Sequence, residues 1–233
     1  MALSVSHLQV PPSINNLNTN EFYQLNTNRY ICGMNSQSSK AERTKSFIIE
    51  STAEIFNKKG FAGTSLSDLS EATGLTKGSI YGNFENKEEV AIAVFEYNCA
   101  KVSRLISEQV DKAETFYDKL MVYPKIYKKL NSGSASHGGC PILNTATEAD
   151  DTNELLKNKA ADAIRKWERN LCQLIKKGID AGEFRKEVNV RRTALSIIAL
   201  IEGAVMISKV TADASSMDHI LGTVESLINQ MKN

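Results

Sequence analysis

The stretch 64–84, TSLSDLSEATGLTKGSIYGNF, constrains this chain more than any other part of it. Leu66, Leu69 and Ala72 recur at three-residue steps, the spacing that gathers apolar side chains on one face of a helix. Thr64 or Ser65 can cap its start, because a side-chain oxygen accepts from first-turn amides that lack a partner. Gly74 falls where that helix must end, and a residue without Cβ takes the left-handed conformation the reversal needs. Thr76 can cap a second helix opening Lys77-Gly78-Ser79, in which Ile80 and Phe84, four apart, turn back onto the first. Lys77, Ser79, Tyr81 and Asn83 are left facing outward, each able to hydrogen-bond a phosphate or a base edge. Two short helices, a glycine turn and a polar outer face describe a helix-turn-helix. A plain helical hairpin with a solvated face satisfies the same pattern, so the flanks decide.

Upstream, residues 46–59 read as a helix ending Lys58-Lys59-Gly60-Phe61; downstream, Asn86-Lys87-Glu88-Glu89 opens another. Over 48–90 the chain resembles the tetracycline-repressor (TetR) family of transcriptional regulators. The resemblance rests on Ile48-Ile49, Ile55-Phe56, Gly60-Phe61, Thr64-Ser65-Leu66, Asp68-Leu69, Ala72, Gly74-Leu75-Thr76-Lys77-Gly78, Ile80-Tyr81, Phe84 and Lys87. Two residues depart from the family pattern: Gly82, where a larger side chain is usual, and Thr52, where alanine is usual. The resemblance implies an all-α fold, with a three-helix DNA-binding head over 42–102 (helix-turn-helix 65–84) and a helical regulatory and dimerisation body over 103–233. It implies a dimeric regulator that binds an operator in double-stranded DNA and is released by a small molecule, and it implies no enzyme activity. On such a head Thr76 and the amides after it would anchor phosphate, and Gly78 would let the helix approach the groove. Lys77 and Asn83, with Ser79 beside them, would touch base edges. Thr64, Ser65, Tyr81 and Lys87 would hold the backbone without reading sequence.

Charge does not announce a nucleic-acid protein. The chain carries 28 basic and 27 acidic residues, so affinity for DNA must come from where charges sit. The four cysteines, 32, 99, 140 and 172, are far apart with no CxxC, which suggests neither a disulfide framework nor zinc; reduced thiols in a cytoplasmic protein are expected. No metal or other cofactor is indicated. Residues 1–39 read as a disordered tail, with Pro11-Pro12 and six asparagines between 15 and 28 but no helical or strand period. Met34, just ahead of a polar lead-in, would make a natural start. The most apolar run, 194–207, is short and broken by Glu202 and Gly203, so no membrane span is expected.

The remainder reads as helices over about 87–110, 112–130, 141 onward, 152–181, 190–210 and 217–231. Pro124 should kink or split the second of these. Between them, 131–139 is a glycine- and serine-rich loop, and Pro141 suits a helix start. An apolar or amphipathic effector is expected among Phe95, Phe116, Leu120, Tyr123, Tyr127, Cys140 and Trp167, with Asn144 and Glu148 as polar groups that could orient it. The last two helices are the most apolar. In the TetR family the equivalent pair forms a dimer seam, which assigns Leu195, Ile198, Val205, Leu221, Leu227 and Ile228 to a homodimer interface. An alternative enzyme built on His137 and Cys140 lacks the base and orienting group a thiol nucleophile needs. A constitutive DNA binder without effector remains a second alternative.

Overall fold

A computed structural model describes residues 39–131 and 138–233. Residues 1–38 of the expected tail, with Met34, and most of the 131–139 loop, with His137, lie outside these; the last tail residue, Ser39, instead belongs to the start of α1. Nine helices make up the described residues: α1 Lys40–Gly63, α2 Leu66–Thr73, α3 Lys77–Tyr81, α4 Lys87–Val110, α5 Phe116–Asn131, α6 Pro141–Ala149, α7 Glu154–Asp180, α8 Val190–Thr211 and α9 Ala214–Asn229. The fold is all-α, and its helix starts follow from local chemistry. Ser39 and Glu42 cap α1 reciprocally, and Asn86, Asn153, Asn189 and Asp213 each accept an amide at the start of α4, α7, α8 and α9.

Two apolar clusters organise the molecule. The first holds Ile48, Ile49, Ala53 and Phe56 of α1, Leu69 of α2, Ile80 of α3, and Val90, Ala91 and Val94 of α4. Ala149 of α6 and Leu156 of α7 belong to it as well, so the head's core is completed by residues beyond the expected boundary at 102. The second holds Leu120, Tyr127, Trp167, Leu171, Ile175, Phe184, Ile197, Ile201 and Val224, among others, and fills the body. Thr52 lies wholly inside the head; its hydroxyl donates to Ile48 O at 2.7 Å, which satisfies a polar group where the family usually has none.

Pro124 does not split α5. It stands within an uninterrupted helix as one of six buried residues, with Leu120, Met121, Val122, Tyr123 and Tyr127, and that packing offsets the missing N–H. Close packing also explains Gly178 on α7: a Cβ there would lie 2.2 Å from the Phe184 ring. By length and composition α8 could cross a membrane, contrary to the impression left by residues 194–207 alone. Here Ala194, Ile197, Ile198, Ile201, Ala204 and Val205 of α8 are buried in the body core instead.

Candidate functional site

The helix-turn-helix is built by short-range bonds. Ser65 Oγ accepts from Asp68 N at 3.1 Å while Asp68 accepts from Ser65 N at 2.7 Å, a reciprocal cap. Lys59 donates to the same carboxylate at 2.7 Å, and with Ser65 it holds Asp68 well below the usual carboxylate range. Gly74 ends α2 at φ 67°, and Thr76 caps α3 by accepting from Ser79 N at 3.2 Å. Ile80 and Leu69 are both fully buried, which locks the inner face of α3 onto α2. The outer face is open. Thr76, Lys77, Gly78 and Tyr81 are exposed, and Lys77 makes no hydrogen bond or ion pair among the described residues. A Cβ on Gly78 would meet nothing nearer than Thr76 Oγ1 at 4.0 Å, so packing within the chain does not require glycine there.

Other expected contact residues sit differently. Asn83 follows α3 rather than lying in it, and its amide nitrogen donates to Ser79 O at 2.9 Å. Thr64 is buried, with its hydroxyl donating to Gly60 O at 2.6 Å. Lys87 donates to Phe61 O at 2.8 Å and Thr64 O at 3.0 Å and lies 4.3 Å over the Phe61 ring. These two side chains hold the turn between α1 and α2, a use that residue type and spacing do not reveal. Ser65 remains exposed at the start of α2.

The nine expected effector residues fall in two places. Phe95, Asn144 and Glu148 line a small gap where α1, α4 and α6 meet, of about 30 Å³, room for water and no drug-sized guest. Glu148 accepts from Phe61 N and Ala62 N at 2.8 Å each. Asn144 donates to Asn57 O at 2.9 Å and to Gly138 O at 2.8 Å. Both polar groups thus join α6 to the end of α1, where Gly60 at φ 72° gives the carboxylate room. The other six, Phe116, Leu120, Tyr123, Tyr127, Cys140 and Trp167, lie in or against the body core. Tyr127 stacks on Trp167 with ring centroids 5.2 Å apart. Beside them is a residue that sequence reasoning passed over. Glu202 of α8 accepts from Cys140 Sγ at 3.0 Å, and burial pushes its carboxyl up to about 7. Burial, with Glu202 nearby, also pushes the Cys140 thiol well up, which is the reverse of an activated nucleophile. The only sign of Glu202 in the sequence was a charge interrupting an apolar run.

Residues 48–94 match the model of bacterial regulatory proteins of the tetR family, and 117–224 match the tetracyclin repressor-like C-terminal domain. A TetR-family regulator from Cytophaga hutchinsonii is 48% identical, covering 84% of this chain and 98% of that one, with a TM-score of 0.79. One from Chloroflexus aurantiacus J-10-FL is 36% identical over 83% and 98%, with a TM-score of 0.78. The chain belongs to the TetR family. It is a helix-turn-helix transcriptional regulator in a family of non-enzymes. Among curated relatives, the transcriptional repressor DhaR of Mycobacterium sp. strain GP1 is 23% identical, covering 80% of this chain and 93% of DhaR.

A TetR regulator acts as a dimer, and the expected seam residues divide by exposure. Ile198, Val205, Leu221 and Ile228 are buried in the chain's own body core, so they serve the protomer first. Leu195 is 39% exposed and Leu227 half-buried. The outward stripe of α8 runs Leu195, Ala199, Gly203, Met206 and Val210, the last 79% exposed. On α9, Gly222 faces open space as Gly203 does on α8.

Proposed function

We propose that this TetR-family protein binds a near-palindromic operator as a homodimer, reads it with the outer face of α3, and releases it when a small molecule occupies the body. The observation that carries the reading is Lys77, exposed and unpaired on a helix whose inner face is fixed by Ile80. Lys77 and Ser79 touch base edges; Tyr81, Ser65 and Thr76 meet the sugar-phosphate backbone. Gly78 lets the backbone of α3 approach the groove. Asn83 contributes through its carbonyl oxygen, since its amide nitrogen is engaged with Ser79. Thr64 and Lys87 act by holding the turn rather than by touching DNA.

Two α8–α9 pairs, one from each copy, form the seam. An exposed apolar stripe is costly in water, and helical glycines with open space beside them permit close approach of another helix. Half-sites then lie one helical turn or a multiple apart. Repression is the expected sense, as the name of DhaR suggests, and the cytoplasm is the compartment where such a protein meets DNA. Footprinting the purified protein on DNA flanking its own gene tests the whole reading. A protected near-palindrome supports it, and no protection at any inverted repeat counts against it. For the seam, Leu195→Glu and Met206→Glu should each give a folded monomer by light scattering; an unmodified protein that is monomeric at micromolar concentration contradicts the seam.

A further inference from the structure

The glycine pair ahead of α6 is a junction of three helices. Gly138 and Gly139 both take left-handed backbone, at φ 94° and 91°. A Cβ on Gly138 would lie 2.9 Å from Lys58 Cγ and 3.2 Å from Asn57 Nδ2 of α1; one on Gly139 would lie 3.4 Å from Lys209 Nζ of α8. The chain passes between the head's first helix and the last turn of the helix that carries the exposed apolar stripe, where conformation and closeness alike favour glycine. The bonds there form a closed set. Asn144 Nδ2 gives one hydrogen to Asn57 O at 2.9 Å and the other to Gly138 O at 2.8 Å, and Asn57 Nδ2 donates to Gly139 O at 3.1 Å. Lys209 Nζ also donates to Gly138 O, so a charge-assisted bond takes that oxygen's second lone pair. Three of these four bonds join residues 71 to 87 positions apart, and none builds a helix. A head held to the body by α4 alone would pivot about the start of that helix. Glu148 and this junction attach it a second time, through α6, and Lys209 carries the attachment on to α8.

We propose that Lys209, through Gly138, Asn144 and Asn57, fixes each head relative to the dimer seam and so sets the half-site spacing that the dimer accepts. This rests on the dimeric operator reading above and adds a spacing rule to it. Once one head is bound, the other meets its half-site at an effective concentration that a stiff linkage raises at one separation and lowers at the rest. One base pair shifts a half-site by about 3.4 Å and turns it by about a tenth of a turn, a step that a head held at two points follows only by breaking one of them. Lys209 is a positioning residue in this scheme and touches no base.

The test uses the full chain, its Lys209→Met variant, which keeps the stem and loses the donor, and Lys209→Arg, which keeps a donor. Each selects duplexes from a randomised pool. The recovered half-site is then titrated singly and as inverted repeats whose centre is shortened or lengthened by one base pair. The unmodified protein should recover one spacing and lose at least about tenfold in affinity at the others. Lys209→Met should recover the same half-site at several spacings, differ by less than about threefold between them, and bind a lone half-site as before. Lys209→Arg should restore the single spacing. Asn144→Ala cuts the junction from its other side and should loosen the spacing too, an arm that stands even if the Met variant fails to fold. Sharp spacing kept in Lys209→Met overturns the proposal. So does an equal loss at every spacing and at the lone half-site, which would make Lys209 a phosphate contact. An unmodified protein that recovers no repeat, or binds two half-sites no more tightly than one, sinks the dimeric operator reading and the proposal with it.

Discussion

Asp68 in the head and Glu202 in the body are both hydrogen-bonded carboxylates, yet their surroundings push them in opposite directions. Asp68 has Lys59 beside it and a cap to close, so its charged form is favoured. Glu202 sits among apolar side chains with a thiol as its described partner, so its neutral form is favoured. In the head, polar groups are mostly paired with neighbours a few residues away. One neutral hydroxyl, that of Ser70, is the described exception. In the body, helix starts are capped locally as well, but the buried Glu202 Oε2 and Trp167 Nε1 have no partner among the described residues.

The largest effect should come from breaking the head's core. Ile80→Ala removes a fully buried side chain that seats α3, and should cost about 2–5 kcal/mol in urea unfolding. DNA binding should be lost with it, while the body's Trp167 emission stays native at low denaturant. Loss of both together would mean that Ala149 and Leu156 tie the two clusters into one cooperative unit.

Next in size is the pH signature of the body. With its carboxyl raised from 4.5 to about 7, Glu202 binds a proton in the folded state that the unfolded chain has already released. Stability from this group is therefore full below about pH 4.5 and falls as pH rises toward 7 and beyond. The total is on the order of 3 kcal/mol, and Glu202→Gln should remove that slope and be the more stable protein above neutrality. Asp68 runs the other way: its contribution is present above the ordinary carboxylate range and lost as pH falls below it. Asp68→Asn should flatten the acid limb alone. Melting temperatures across pH for the two variants check both signs.

Glu148→Ala should cost about 2 kcal/mol by removing an acceptor shared by two amides of the α1 end. If head and body were independent, the head's own melting would not move. Smaller still, Ser65→Ala should cost about 1 kcal/mol, the worth of one helix cap, with no change in the body's response to any ligand.

The same contrast explains what could be read from the sequence. Ser65, Gly74, Thr76 and Asn86 act on residues two to four positions away, so type and spacing were enough to place them. Glu183, which accepts from Phe116 N and Tyr117 N at 3.0 Å, starts α5 from more than sixty residues away. Glu148 reaches α1 across a similar separation, and no local pattern marks either one. Pro124 misled because propensity describes an isolated helix, whereas α5 is held by its neighbours. Resemblance alone assigned the expected seam to α8 and α9, and apolar residues on one helix look alike in sequence whichever way they face. Exposure separates Leu195 from Ile198; hydropathy does not.

The central claim is that the outer face of α3 reads DNA while the rest of the head merely holds it. Lys77→Ala tests it most directly, by titration against the footprinted operator and against random duplex over a range of salt. The account predicts a loss of about 1–3 kcal/mol on the operator, little change on random DNA, and a recovered preference when the contacted base pair is altered. An equal loss on both duplexes, or no loss on either, would contradict it.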